Sequence, residues 1–163
     1  MKQRPIIFLL IFLLCGCGYH FSSFSPVTLP RGYTSLYISR VVNPSQESWL
    51  EPKIRSYLRE ELTRRGQVRW VSKDKAEVLI RVNIKEISTA SSIKGENDQS
   101  IKYVARVVLE VLMFSAMDKT LIWTSGLING NKSFYNESEK KVATEEAVER
   151  ALDLVLDRLG NRF

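Results

Sequence analysis

The segment Ile101–Ala116, IKYVARVVLEVLMFSA, decides the fold of this chain. Its odd positions from Tyr103 to Met113 are all apolar, whereas its even positions include Arg106 and Glu110. Side chains that alternate with a period of two are typical of a β-strand with one buried face. The segment therefore predicts one long strand that presents one face to the core and a second, mixed face elsewhere.

The segments on either side predict antiparallel partners for this strand. An alternating pattern marks a preceding strand over Val78–Lys85, and its phase slips at residues 86–87, which indicates a bulge. The polar run Ser88–Ser100, STASSIKGENDQS, contains turn residues and is predicted to be the projecting loop of a long hairpin. After a tight turn, a last strand is predicted over Leu121–Ile128, and Asn129–Glu137 is predicted to be a loop.

Two helices flank these strands in the chain. The first is predicted over Trp49–Arg65, where Ser48 and Glu51 match a capping box and Gly66 is predicted to be the C-terminal cap. Its apolar residues follow helical spacing: Ile54, Tyr57, Leu58 and Leu62.

The second helix is predicted over Glu139–Leu159. Its apolar stripe consists of Val148, Ala151, Leu152, Val155 and Leu159. Three acidic residues, Glu149, Asp153 and Asp157, are expected on the opposite side of the helix. Helices with one apolar face bury that face against another layer of the fold.

A first strand over Thr34–Val42 completes the order strand, helix, strands, helix. That order predicts an α+β fold in which two helices pack on one face of a small, mostly antiparallel mixed sheet of four strands. One domain is expected over residues 33–163, since nothing in the sequence repeats and the length suits a single domain.

The N-terminal segment predicts an export signal. Lys2 and Arg4 precede the apolar run Ile6–Leu14, which is too short to span a bilayer but suits a signal peptide. The sequence Leu-Cys-Gly-Cys at residues 14–17 matches a bacterial lipobox, which predicts removal of residues 1–16. A plain secreted protein is the alternative.

On the lipobox interpretation, Cys17 is the lipidated residue and carries an N-palmitoyl chain and an S-diacylglycerol. Several acyl chains anchor a protein stably, because each buried methylene contributes about 0.8 kcal/mol. Gly18 after the cysteine favours sorting to the outer membrane, on its periplasmic side. Residues 17–32 are then the lipidated N-terminus and a tether.

The charge distribution suggests an anionic partner. The chain has 24 basic and 18 acidic residues, a formal charge of +6, and the excess is concentrated in residues 17–103. Ordinary solvated surface charge is the alternative explanation. No nucleic-acid partner is expected.

No set of residues predicts catalysis or metal binding. The sequence contains no phosphate-binding glycine loop and no metal or nucleophile motif, and its single histidine rules out a His-rich metal site. The adjacent pairs Glu60-Glu61 and Glu145-Glu146 point apart on a helix and are expected to be solvated. We therefore expect no catalytic residue, no cofactor other than the covalent lipid, and no enzymatic activity.

One segment is a candidate for binding. The predicted hairpin loop between Ser88 and Tyr103 is polar and carries Lys94 and Lys102. A lysine at the tip of two rigid strands can reach a phosphate group. An ordinary solvated hairpin end is the alternative interpretation.

Taken in order, several short motifs resemble the LptE family, the lipoprotein of the outer-membrane lipopolysaccharide translocon. The resemblance covers nearly the whole mature chain. It is carried by Cys-Gly-Tyr-His-Phe at 17–21, Asn43-Pro44, Leu-Arg-Glu-Glu-Leu-Thr-Arg-Arg-Gly at 58–66, Thr-Ala-Ser at 89–91 with Lys94-Gly95, Tyr103, Leu-Ile-Trp at 121–123, and Ala147, Arg150, Ala151 and Leu159 in the closing helix.

The resemblance implies two helices on a four-stranded sheet and a role as a plug inside the LptD β-barrel, where the protein assists lipopolysaccharide on its way to the outer leaflet. It also implies lipopolysaccharide binding by basic residues of the connecting loop, where Lys94 is the match by position; Lys102 is a second candidate in the same loop. A second basic contact is implied where the last helix begins, a region that holds Asn136, Lys140 and Lys141.

Two other functional classes remain open. One is a pilotin-like lipoprotein that escorts a secretin or another outer-membrane barrel. The other is a periplasmic enzyme domain, which the absence of catalytic motifs disfavours.

Overall fold

The computed structural model describes residues 26–94 and 100–161, with backbone alone for residues 92–94 and 100–101. The strands and helices, in chain order, are β1 (Ser35–Val42), α1 (Leu50–Arg65), β2 (Arg69–Trp70), β3 (Val78–Lys94), β4 (Ser100–Ser115), β5 (Leu121–Thr124), β6 (Ile128–Phe134) and α2 (Lys140–Gly160). Short 3-10 turns occur at Pro30–Gly32 and Glu137–Glu139.

The described strands form one mixed sheet of six, so the predicted α+β class is confirmed and the predicted count of four strands is wrong. β1 lies between β2 and β3 and is parallel to both. β4 is antiparallel to β3 on one side and to β5 and β6 on the other. The two-residue β2 was too short to be counted as a strand from the sequence.

β6 corrects the loop predicted over Asn129–Glu137. Its sequence, INGNKSF, has the Asn and Gly residues typical of turns. It nevertheless pairs with β4 in continuous register, from Ile128 opposite Leu109 to Phe134 opposite Tyr103. The open edge of β4 supplies hydrogen-bond partners that outweigh the weak strand propensity of β6.

The hairpin between β3 and β4 is longer than predicted. Residues 88–94, assigned from the sequence to a loop, extend β3, with Ser88 opposite Arg106 and Ser91 opposite Tyr103. Small polar residues carry no alternating apolar signal, and this concealed the strand. The predicted bulge is confirmed by a register shift between Ile84 and Glu86.

Both helices pack on the same face of the sheet, as predicted. The core face of β4 is formed by its odd residues from Ala105 to Met113, all of them buried. The predicted stripe of α2 is buried in the same cluster, together with Ile54, Leu58 and Leu62 of α1. None of the helices in the part of the chain that the structure describes is long and apolar enough to cross a membrane.

A close backbone approach joins α2 to β6. A Cβ atom on Gly130 would lie 1.9 Å from the carbonyl oxygen of Ala147 and 2.8 Å from the nitrogen of Ala151. Both alanines are fully buried. Only glycine on the strand and small residues on the helix permit α2 to cross β6 at this distance.

A buried arginine joins the two helices to each other. The guanidinium of Arg65, whose side chain is 3 % exposed, contacts Glu61 at 2.8 Å, Asp153 at 2.6 Å and Asp157 at 2.8 Å. The expectation that Glu61 is solvated, and that Asp153 and Asp157 line the side of α2 away from its packing, is wrong. These carboxylates are drawn to α1 because a buried guanidinium requires acceptors.

Of the predicted caps of α1, the C-terminal one is confirmed, since Gly66 is the C-cap residue, and the N-terminal one is wrong. Trp49 occupies the N-cap position and no side chain caps the helix, so the predicted capping box is absent. Gly66 ends the helix in extended backbone, at φ −139°. Its lack of a side chain permits a close approach of the segment before β1, because a Cβ would lie 2.7 Å from the carbonyl oxygen of Val27. The N–H of Val27 donates a hydrogen bond to Arg65 O at 2.9 Å.

Candidate functional site

A cavity of about 560 Å³ lies where the β1–α1 connection, β3 beyond its bulge and the start of α2 meet. Its lining is mostly polar. It consists of Ser45, Gln46, Glu47, Trp49, Ile87, Ser88, Thr89, Glu137, Lys140, Lys141 and Thr144.

The β1–α1 connection is shaped by Asn43, in the predicted break after β1. Its side-chain oxygen accepts from the backbone N–H of Ser45 at 3.0 Å and from the Ser45 hydroxyl at 2.7 Å. Its amide nitrogen donates to the carbonyl oxygen of Glu47 at 2.9 Å. This turn holds Glu47 and Trp49 at the mouth of the cavity.

The opposite wall is organised by Glu139, directly before α2. Its carboxylate accepts from the backbone N–H of Tyr135 at 3.0 Å and from the side-chain amide of Asn136 at 2.7 Å. These hydrogen bonds, the Tyr135 N–H foremost, lower the pKa of Glu139. The 3-10 turn held in this way leads directly into Lys140 and Lys141.

The two lysines predicted to bind lipopolysaccharide from α2 therefore lie in one cavity, but in different surroundings. Lys140 Nζ contacts Glu137 Oε1 at 2.9 Å, and this hydrogen bond raises the pKa of Lys140. Lys141 Nζ lies 5.7 Å from the ring centroid of Trp49 and forms no ion pair with any described residue. Trp49 in turn donates its indole N–H to Glu47 Oε2 at 2.6 Å.

The cavity contains two ammonium groups and two carboxylates, so its charge is close to balanced. Lys141 is the cation left available for a ligand, beside an aromatic face and the hydroxyls of Ser88 and Thr89. Such a combination suits a polar ligand that carries an anionic group.

Lys94 and Lys102 lie further along the hairpin. Lys102 is half-buried on β4 opposite Ile93, and Lys94 is the last residue of β3, paired with Ser100. Lys94 lies five positions beyond Thr89 on β3, which corresponds to about 17 Å of strand. The structure thus brings Lys140 and Lys141 together and leaves Lys94 and Lys102 at a second place. The side chain of Lys94 and the whole of Cys17 lie outside the described atoms.

The sheet face opposite the helices is a second candidate surface. Val104, Val108 and Leu112 of β4 are half-buried there, and Arg106 and Glu110 alternate with them, as the sequence predicted. Glu110 accepts a hydrogen bond from Thr124 at 3.3 Å and lies 3.8 Å from Lys85 Nζ.

Trp49 is the site residue that the sequence did not reveal. Trp49 packs against the core cluster, and it also lines the cavity and contacts Lys141. No local pattern could have identified this role, because its contact comes from the start of a helix far along the chain.

The chain resembles solved lipoprotein structures in fold. The solution structure of an uncharacterized lipoprotein B from Nitrosomonas europaea matches with a TM-score of 0.54 and 14% identity, covering 88% of each chain. The rare lipoprotein B from Shewanella oneidensis matches with a TM-score of 0.50 and 11% identity, covering 77% of this chain and 92% of that one. No curated protein sequence matches.

These similarities show the fold, a small α+β domain with helices on one face of a mixed sheet. The family follows from the sequence of the domain itself. The model of the LptE family, described as lipopolysaccharide-assembly, matches residues 33–163. The chain therefore belongs to the LptE family, a non-enzymatic family of lipopolysaccharide-assembly lipoproteins.

Proposed function

We propose that this protein is anchored in the outer membrane through lipidated Cys17, fits as a plug inside the LptD β-barrel, and binds lipopolysaccharide during its insertion into the outer leaflet. The observation that carries the proposal is the family match over residues 33–163. The mixed sheet face and the lysine-bearing cavity are consistent with this role.

The sheet face without helices suits a barrel lumen. Lumens of outer-membrane barrels are polar, so charged residues such as Arg106 and Glu110 are acceptable against the wall. The long β6 edge is also a liability in an isolated domain, because unpaired edge strands invite association. Enclosure in a barrel would protect that edge.

Lipopolysaccharide carries phosphate groups, and the candidate lysines Lys94, Lys102, Lys140 and Lys141 are point-charge phosphate ligands. Of the two lysines in the cavity, Lys141 is the more available to a ligand. Lys140 is less available, because its ammonium group forms an ion pair with Glu137.

The decisive experiment is affinity capture of the detergent-extracted full chain, followed by identification of its partner. We expect a large outer-membrane barrel, LptD, in stable complex. Capture of a secretin would support the pilotin class and overturn the plug.

The anchor is tested separately: Cys17→Ser should abolish acyl labelling and leave an uncleaved precursor, whereas unchanged labelling would exclude Cys17.

Lipopolysaccharide binding is tested by charge reversal. Lys94→Asp should weaken binding about tenfold, equivalent to roughly 1.4 kcal/mol, while the fold and barrel association persist. The matched control is Lys73→Asp, an exposed lysine outside the hairpin. Equal losses in both variants would indicate diffuse attraction, and no loss in either would remove the lysine from the proposal.

A further inference from the structure

The outer edge of β6 carries backbone groups that no neighbouring strand uses. Val111 O accepts the N–H of Ser125 at 2.9 Å, so β4 directs the backbone groups of its odd residues to the side where β5 and β6 lie. In the register of β6 on β4, these odd residues lie opposite the even residues of β6. No strand of residues 26–94 and 100–161 pairs with the outer edge of β6. The residues of β6 that point away from β4 are therefore Asn129, Asn131 and Ser133.

α2 forms a wall beside this outer edge. Three of its residues, spaced four apart, follow the edge: Glu146, Arg150 and Leu154. Glu146 forms an ion pair with Lys132, and Arg150 Nη1 lies 3.5 Å from Asn131 O. The second contact confirms that this carbonyl oxygen points outward. The helix and the edge strand thus enclose a groove that runs along β6.

Two concavities follow each other along this groove. One lies at residues 127–129, where β6 begins, and the other lies at residues 131–133. An extended chain rises about 3.3 Å per residue, so a strand of about six residues passes through both. Peptides bind exposed sheet edges in this manner, by adding a strand whose main chain continues the hydrogen-bond ladder.

The two concavities differ in chemistry. Leu127 and Leu154, which are 61% and 49% exposed, give the concavity at residues 127–129 an apolar lining. Arg106 and Arg150 line the other, both are exposed, and neither forms an ion pair with a carboxylate among the residues that the structure describes. Arg106 Nε lies 3.3 Å from the side-chain oxygen of Asn131, on the sheet face opposite α2. The two arginines therefore flank the outer edge from both faces of the sheet.

This arrangement specifies the segment that fits. Consecutive side chains of an added strand point to opposite faces, so two consecutive acidic residues beside Asn131 would each meet one arginine. Carboxylates are the bidentate partners of guanidinium groups. An apolar residue opposite Ile128 shares the α2 face with one of the acidic residues, so an even number of positions separates them. About four positions span the two concavities.

The helix above β6 excludes a second copy of this chain as the occupant. A Cβ on Gly130 would lie 1.9 Å from Ala147 O, so α2 lies directly over β6. Two β6 edges paired with each other would be about 4.8 Å apart. Packed helices require about 8–10 Å between their axes. The occupant is therefore a strand that has no helix above it.

We propose that the groove between β6 and α2 binds an extended segment of a partner protein, which adds a strand to β6 and carries two consecutive acidic residues about four positions from an apolar one. Main-chain hydrogen bonds to the odd residues of β6 hold the segment, and Arg106 and Arg150 select its acidic residues. The proposal does not rest on the plug or on lipopolysaccharide binding.

The test is a titration of the full chain in nonionic detergent micelles with synthetic peptides, followed through backbone amide hydrogen exchange by NMR. The probe is the end-blocked octapeptide Thr-Leu-Thr-Val-Thr-Glu-Glu-Thr, together with its reversed sequence for the opposite strand direction. We expect the tighter of the two to slow exchange at Asn129, Asn131 and Ser133. The amides of Gly130 and Lys132, which face β4, should change little and serve as internal references.

Modified peptides separate main-chain pairing from charge attraction. N-methylation of alternate residues should abolish binding in one phase and be tolerated in the other, because only one edge of the added strand faces β6. Replacement of both glutamates by glutamine should weaken binding about tenfold.

Variants of the protein test the arginines. Arg106→Gln and Arg150→Gln should each weaken binding of the glutamate peptide about twofold to fivefold and leave binding of the glutamine peptide unchanged. The matched control is Arg40→Gln, an exposed arginine on β1 of the same sheet, which should bind both peptides as the wild type does.

Several results would overturn the proposal. These are unchanged exchange at the three outward amides, equal binding in both N-methylation phases, equal binding of the glutamate and glutamine peptides, or an equal loss in Arg40→Gln. Slower exchange at Asn131 on raising the protein concentration alone would assign the edge to a second copy, and it too would overturn the proposal. Neither a barrel nor lipopolysaccharide is present in the experiment, so its failure is distinct from a failure of the proposed function.

Discussion

Replacing Gly130 with alanine tests the packing of α2 on the sheet most directly. The added Cβ would lie 1.9 Å from Ala147 O, and real Cβ contacts essentially never fall below 3.0 Å. The strand and the helix must therefore separate by about 1 Å. Because the opposing atoms belong to the helix backbone, no side-chain rotation can relieve the overlap.

Overpacking of a core costs about 1–3 kcal/mol, and a clash between two backbones belongs at the upper end of that range. For a domain of this size, about 3 kcal/mol lowers Tm by roughly 6–12 °C. We expect that fall for Gly130→Ala in thermal unfolding of the full chain, followed by circular dichroism. Asn129→Ala, an exposed neighbour on β6, is the control and should change Tm little.

A double variant identifies the atom that causes the loss. Adding Ala147→Gly to Gly130→Ala should bring no recovery, since the overlap is with the carbonyl oxygen of Ala147 and not with its methyl group. Recovery in the double variant, or a wild-type Tm in Gly130→Ala, would show that α2 does not cross β6 in the manner described.

Two further perturbations address charges. Arg65→Met should lower the stability by about 3 kcal/mol, measured by urea unfolding, because it leaves buried Glu61 without one of its two arginine partners; a more stable variant would contradict the network. Glu77, which accepts hydrogen bonds from the Thr34 N–H and from Ser35, has its pKa lowered from 4.5 to about 2. A lowered folded-state pKa contributes stability that is present above pH 4.5 and is lost between pH 4.5 and 2. Glu77→Gln should therefore flatten the acid limb of the stability–pH curve, and an unchanged limb would exclude Glu77 as its cause.

The sequence predicted those elements whose buried residues recur with the regular period of a strand or a helix. The alternation in β4 and the helical spacing in α1 and α2 each depend on one element facing one core, and all three are confirmed. β6 escaped prediction because its burial arises from α2 crossing at Gly130, a contact with a helix that comes later in the chain.

The difference between local patterns and contacts made only in the folded chain also applies to the site. The family resemblance implies a basic contact where the last helix begins, which is where Lys140 and Lys141 lie, and the structure puts both in one cavity. Trp49 and Glu47, which give that cavity its aromatic face and balance its charge, come from the β1–α1 connection. Likewise, the Arg65–Asp153 contact joins residues 88 positions apart. Partners brought together only by the fold leave no periodic trace in the sequence.

The position of α2 after the described strands has a consequence for folding. Every described strand precedes this helix, yet Leu152, Val155 and Leu159 of α2 cover the core face of β4. A chain that emerges N-terminus first therefore exposes an apolar sheet face until its last helix is available. Exposed surface of that kind is where aggregation begins and where holdase chaperones bind. The apolar face of β4 is thus covered only once the final turns of α2 are available to pack on it.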